Sequence, residues 1–301
     1  MCGIVGYFNK TSAKSQTLGS ILLGMLNALA CRGPDSTGVA LFGTPLAHQL
    51  IARVKLGNNG GSPERVLEIA SLAQKFGAQE FAQNGAYLRF TFQENSDLKP
   101  FLISVESVAP DVEVVSVGRS LEIVKQVGSP SRLEQSFCIS GFHGGHGIGH
   151  TRLSTESVVD LSHSQPFWAH GYPDLAIVHN GHITNYHQLR RRYQERGVRF
   201  YTENDSEVVA IFLADKLRQG LALRAALELM ITDLDGSFSC LVATEFALAL
   251  VKDPFSFKPL LYTETPSFVA VATEEIAIRA AIPGDYNVRE AQAKEVQVWQ
   301  R

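Results

Sequence analysis

A chain of 301 residues, 45% of them hydrophobic and 19% charged, can bury a sizeable core and is long enough for one large domain or two smaller ones. Its 27 Lys and Arg against 30 Asp and Glu leave a net charge of -3, which offers no positive field to a nucleic-acid backbone or an anionic membrane surface. No apolar run approaches the roughly 18 residues of a membrane span, and the first residues lack the basic-then-apolar layout of a signal peptide, so a cytoplasmic protein with a small-molecule or protein partner is expected.

In chain order, "CGIVGYF" (2–8) reads as a short buried strand. The spacing of Leu18, Ile21, Leu22, Met25, Leu26 and Leu29 then predicts an amphipathic helix, ended by "RGPDSTG" (32–38) and followed by the strand "TGVALFG". Residues 58–143 differ from their surroundings. They open with "NNGGSPE", close near "HGGHG", and hold a helix at "PERVLEIASLAQKFG", strand-like runs at "AYLRFTF" and "VEVVSV", and a second helix at "SLEIVKQV" (120–127). This predicts an inserted small α+β subdomain at 58–143 within a main domain of 1–57 and 144–301. Beyond it, "DLAIVHN", "SFSCLVA", "FALALVK" and "FVAVATE" read as strands, and helices fit 186–195, 206–219 and 222–231. Hairpin-like strands with helices between them predict a layered α+β fold rather than a doubly wound sheet.

Cys2, Cys31, Cys138 and Cys240 are scattered and form no C-x-x-C pair, so no zinc site or iron–sulfur cluster is expected from this chain. Eight of the nine histidines fall between 143 and 187, and "HGGHGIGH" invites a metal reading. That segment is rich in glycine and has no matching acid or thiol spacing, so no metal is expected. The basic stretch "LRRRYQERGVRF" reads as the solvated face of a helix.

Cys2 stands apart. Removal of Met1 would leave a thiol and a free α-amino group on one residue. The amine titrates near ~7.7–8.0 and a thiol near ~8.5, so at neutral pH the amine can take the thiol proton as the sulfur attacks an acyl carbon. A lone cysteine is otherwise most often a buried structural thiol.

The chain resembles the class II glutamine amidotransferases, whose mature chains begin Cys-Gly-Ile. The resemblance recurs in order at "RGPDSTG", "GHTRLST" (149–155), "IVHNGHITNY" (177–186), "ENDSEVVA" (203–210), "LDGSFS" (234–239) and "KDPFSFKPL" (252–260), and covers everything but the insertion. It implies the four-layer αββα sandwich of the N-terminal-nucleophile hydrolases. By the same resemblance Cys2 is the nucleophile, and Asn180 and Gly181 form the oxyanion hole. Arg152 grips the substrate α-carboxylate, and Asp205 holds its α-ammonium. Arg32 and Thr155 line the pocket. Out of context "NG" is most often a hairpin turn, and Asp205 could equally be a helix N-cap. Glu156 stands where many members have histidine, and Ser256 where glycine is more usual.

The last motif lies close to "VQVWQR", and no acceptor-domain motif follows it. The expectation is a glutaminase subunit that passes ammonia to a synthase on a separate chain, forming a hetero-oligomer with 58–143 as a docking surface. Motif pattern and size resemble the amidotransferase subunit of glutamate-synthase-like complexes, including N-methylglutamate synthase. No cofactor is expected in this chain, and flavin and iron–sulfur centres would sit in partner chains. Two other readings are a non-catalytic or weakly active interaction subunit and another N-terminal-nucleophile amidohydrolase, though the latter need not carry Arg152 and Asp205.

Overall fold

The structure, a computed structural model, describes residues 2–11, 16–58, 60–94, 97–154 and 158–301. Two antiparallel sheets stack at its centre. The first has seven strands, ordered across the sheet as Arg289–Glu290, Leu261–Glu264, Phe268–Ala272, Gly3–Asn9, His146–Arg152, Ser36–Phe42 and Leu121–Val127. The second has five: Val296–Gln300, Ala247–Lys252, Gly236–Ala243, Ala176–Ile183 and Phe167–Trp168.

Side-chain alternation decides what each face touches. In Gly3–Asn9, Ile4 and Phe8 join Val178 and Leu241 in the core between the sheets. Val5 points the other way, onto Leu22, Met25 and Leu26 of the helix Leu18–Ala28, which with Glu275–Ala281 covers the outer face of the first sheet. In Gly236–Ala243, Phe238, Cys240 and Val242 face the outer side, where Tyr186–Glu195, Asp205–Arg218 and Leu223–Asp233 pack. Helix, sheet, sheet, helix is the expected αββα sandwich. At the start of Leu18–Ala28 the Thr17 hydroxyl accepts from Ser20 N at 3.2 Å and caps the helix.

A further four-stranded sheet runs Gln79–Asn84, Tyr87–Gln93, Gln49–Lys55 and Glu113–Gly118, with helices Pro63–Gln74 and Lys99–Glu106 alongside it in sequence. It thus takes in a strand that precedes residue 58. Within 58–143, Leu121–Val127 and the helix Pro130–Phe137 belong instead to the main sheet and its outer layer, where the helix contributes Leu133 to the core.

The segment 120–127 corrects the helix expected there. Leu121–Val127 is a strand paired with Ser36–Phe42, from Ser36 opposite Val127 to Phe42 opposite Leu121. Its charges simulate the polar stripe of a helix, yet Glu122 and Lys125 are both buried. Glu122 is held by Arg53 at 2.6 Å and Arg89 at 2.9 Å, so a tertiary ion cluster replaces the water that a helix face would have met.

Candidate active site

The strand Gly3–Asn9 begins immediately after Cys2 and sits beside His146–Arg152, with Gly3 opposite Thr151. This register brings the N-terminal thiol to the strand end that carries Arg152 and Leu153. The Cys2 Sγ accepts from Leu153 N at 3.3 Å and lies 3.5 Å from Leu153 O. "RGPDSTG" clamps the same strand end: Asp35 N donates to Arg152 O at 3.0 Å, and the Asp35 carboxylate accepts from Ser154 N at 2.7 Å.

In the other sheet, Ala176–Ile183 brings Asn180 and Gly181 to Cys2. The Asn180 Nδ2 donates to Cys2 O at 3.1 Å, and its Oδ1 lies 3.0 Å from His150 Nε2. A backbone carbonyl can only accept, so the amide faces Cys2 with its nitrogen and His150 with its oxygen. His150 must therefore carry its proton on Nε2. Burial pushes the His150 pKa down to about 3, and the imidazole stays neutral at any working pH. Gly181 sits at φ +147°, where a Cβ would be driven into the carbonyl oxygen of Ser237.

Arg152 is buried and donates to Val158 O at 3.0 Å. Burial works against its charge, while Cys2, Asp160 and Asp35 favour it. Asp205 is the first residue of the helix Asp205–Arg218. The N-cap is Asn204, whose side chain accepts from Ser206 N, so Asp205 is not the cap. Its carboxylate accepts from Ile183 N at 2.9 Å and stands 3.7 Å from His179 Nδ1. That leaves the acid at the helix start, facing the cavity.

Cys2, Arg152, Asn180, Gly181 and Asp205 line one open cavity of about 550 Å³. A second cavity of about 300 Å³ also touches Cys2, Asn180 and Gly181, and is lined further by Arg32, Lys258, Pro259 and Thr273. Arg32 lies on this side, donating from Nε to Cys2 O at 3.4 Å and pairing with Glu274. Thr155 and Glu156 lie outside the described residues. Ser256 holds φ +55°, a conformation glycine adopts more readily, in a turn whose Phe255 and Ser256 N–H groups both donate to Asp253 Oδ1.

Sequence reasoning missed the supports of this site. His150, inside "GHTRLST", carried a signal only in its motif, because its partner is found only once the two sheets stack. Gln165 spans His179 and Ser206, donating to His179 O at 2.8 Å and accepting from His179 N at 2.6 Å. His163 pairs with Asp160 at 2.8 Å. Burial alone would raise the Asp160 pKa, but hydrogen bonds from His163 hold that carboxyl at about 2. The clustered histidines have partners of this kind: His146 sits 2.7 Å from Thr244 O, His170 2.9 Å from Glu106 and His179 2.9 Å from Ser206 Oγ. Among the described residues, no group of three or more His, Cys, Asp or Glu could hold a metal ion.

A family model described as a glutamine amidotransferase domain matches residues 150–280. The chain is 36% identical over 286 residues to a protein of Methanothermobacter thermautotrophicus named "Putative glutamine amidotransferase", covering 93% of each. It is 35% identical over 289 residues to the "Glutamine amidotransferase-like protein GlxB" of Rhizobium meliloti, covering 92% of this chain and 91% of that one. Among solved structures, the glutamine phosphoribosylpyrophosphate amidotransferase of B. subtilis matches with a TM-score of 0.64 at 19% identity, over 99% of this chain and 47% of that one. At that identity the likeness is one of fold.

Proposed function

Because the chain belongs to the class II glutamine amidotransferases, and is an enzyme of that class, we propose a path for the glutamine amide through its own residues. With Met1 removed, the Cys2 α-amine accepts the thiol proton and the sulfur attacks the side-chain carbonyl carbon of glutamine. The negative charge that develops on the carbonyl oxygen is met by the Asn180 Nδ2 and the Gly181 N–H. Collapse expels the amide nitrogen, which leaves as ammonia with the proton from the amine. Water then hydrolyses the Cys2 thioester to glutamate and frees the thiol. Arg152 takes the α-carboxylate in paired hydrogen bonds and Asp205 takes the α-ammonium, so the amide is held where the sulfur can reach it. Arg32, on the side of the second cavity, braces the Cys2 carbonyl.

The observation that carries this reading is the convergence on one cavity of a terminal thiol, an amide with a fixed orientation, a buried arginine and a carboxylate at a helix start. None of these steps calls for a metal or cofactor. Glutamate release from glutamine tests the path: Cys2→Ala abolishes it, and Asn180→Ala lowers kcat by about 10²–10³. Undiminished release by Cys2→Ala contradicts it.

The ammonia is passed to a synthase on a separate chain, of glutamate-synthase or N-methylglutamate-synthase type, in a cytoplasmic hetero-oligomer whose flavin and iron–sulfur centres lie in the partner. Support for this comes from the motif pattern, and from the second cavity behind Asn180 and Gly181 as an outlet. No helix among the described residues is long and apolar enough to cross a membrane. A purified synthase chain of this type should bind the protein and use glutamine in its presence. Failure to do either removes the pairing and leaves the glutaminase intact.

A further inference from the structure

A third cavity, of about 610 Å³, opens where the helix Lys99–Glu106 meets the main sandwich, and none of its lining residues is shared with the glutamine cavity. Its size suits a small organic molecule. One wall is apolar, built from Leu98, Leu102, Ile103, Pro173 and Val198. Ile103 remains 59% exposed at this wall.

The polar lining is unequal in sign. Lys99, Arg199 and Arg218 face Asp97 and Glu106. Glu106 is nearly fully buried, and its oxygens are occupied: they accept from Val114 N at 3.0 Å, His170 Nε2 at 2.9 Å and Tyr201 OH at 2.5 Å. Asp97 accepts from the Lys99 backbone N–H at 2.9 Å. Arg199 comes no closer than 3.8 Å to Glu106. Lys99 and Arg218 have no carboxylate partner among the described residues, and the Arg218 guanidinium lies over the Tyr172 ring at 5.6 Å. Behind them the His170 ring packs at a tilt between Trp168, 4.8 Å away, and Tyr201, 4.5 Å away. Three cations against two carboxylates, with Lys99 and Arg218 outside any ion pair among the described residues, beside an apolar wall and over a floor whose hydrogen bonds are already made, select a ligand with an anionic head and an apolar body.

We infer that this seam is a binding site for a small amphipathic organic anion, a carboxylate, phosphate or sulfonate on an aliphatic or aromatic body, held by Lys99 and Arg218 and distinct from the glutamine site. The probe is 8-anilinonaphthalene-1-sulfonate, titrated by fluorescence into the full folded chain. Expected is saturable one-to-one binding, weakened about tenfold or more in Lys99→Ala/Arg218→Ala. The uncharged N-phenyl-1-naphthylamine should bind about tenfold more weakly than the sulfonate. Protein already alkylated at Cys2 by a glutamine analogue should bind the probe as before, which separates this site from the proposed catalytic one. Unchanged binding in the double variant, equal binding of the neutral probe, or loss of binding after alkylation would each overturn the inference. Thermal melts of the variant confirm that the fold is intact, since both side chains lie at the surface of the cavity.

Discussion

His150 decides how the Asn180 amide points, although it does not line the glutamine cavity. His150→Phe removes the donor to Asn180 Oδ1, leaves a part-buried acceptor unpaired at a cost of about 1 kcal/mol, and lets the amide turn. The expected result is a fall in kcat with little change in KM for glutamine, and recovery in His150→Gln, whose amide can donate from nearly the same place. Equal activity in His150→Phe and the parent would contradict this role. Buried imidazoles also set a pH response. Burial pushes His146 down to about 4 and His150 to about 3, whereas an unfolded imidazole titrates near ~6.5. As pH falls through that window the unfolded chain binds more protons than the folded one, so stability contributed above pH ~6.5 is lost progressively toward pH 4. Melting temperature should drop across this range, and less steeply in His146→Gln. Cys2, Asn180, Gly181, Arg152 and Asp205 were legible as motif residues. His150 and Gln165 were not legible as supports, because each acts through a partner on another strand or helix.

Strands, more than helices, escaped the sequence. No strand is expected in the glycine-rich "HGIGHTR", yet His146–Arg152 is a central strand of the seven-stranded sheet. Gly147 is there because the neighbours come close: a Cβ would lie 2.7 Å from Ala40 O and 2.9 Å from Leu22 Cδ1. Helices with one apolar stripe, such as 18–28 and 186–195, were readable because half of each still meets solvent. Leu121–Val127 was not, since both its faces are covered. At Gly181 the backbone carries the constraint. Gly181→Ala should cost about 1–3 kcal/mol in strain alone and abolish glutamate release, read by a melt and an activity assay on one preparation. A second element-scale link joins the extra sheet to the active site. Ser162 donates to Glu113 at 2.6 Å and accepts from Lys55 Nζ at 2.5 Å, pinning the segment that carries Val158 to Arg152. Ser162→Ala is expected to raise KM for glutamine several-fold with a smaller change in kcat. Unchanged KM would show that the extra sheet does not brace the arginine.

At the scale of the whole molecule, the two stacked sheets explain why a thiol at the N-terminus works with an amide near the middle of the chain. Cys2 immediately precedes a strand of one sheet and Asn180 lies on a strand of the other, and their facing strands share the core built by Ile4, Val178 and Leu241. The layered α+β class was legible from the alternation of short strands and helices. The edges of the extra unit were less so, because Gln49–Lys55 joins its sheet from before the composition change at 58. The central claim is that Cys2 is a nucleophile aimed at glutamine. The most direct measurement is the intact mass of the protein before and after incubation with a diazoketone analogue of glutamine, with Cys2→Ala as the control. The account predicts a chain lacking Met1 that gains one adduct on Cys2, none in Cys2→Ala, and protection by glutamine. A folded chain lacking Met1 that stays unlabelled would contradict it.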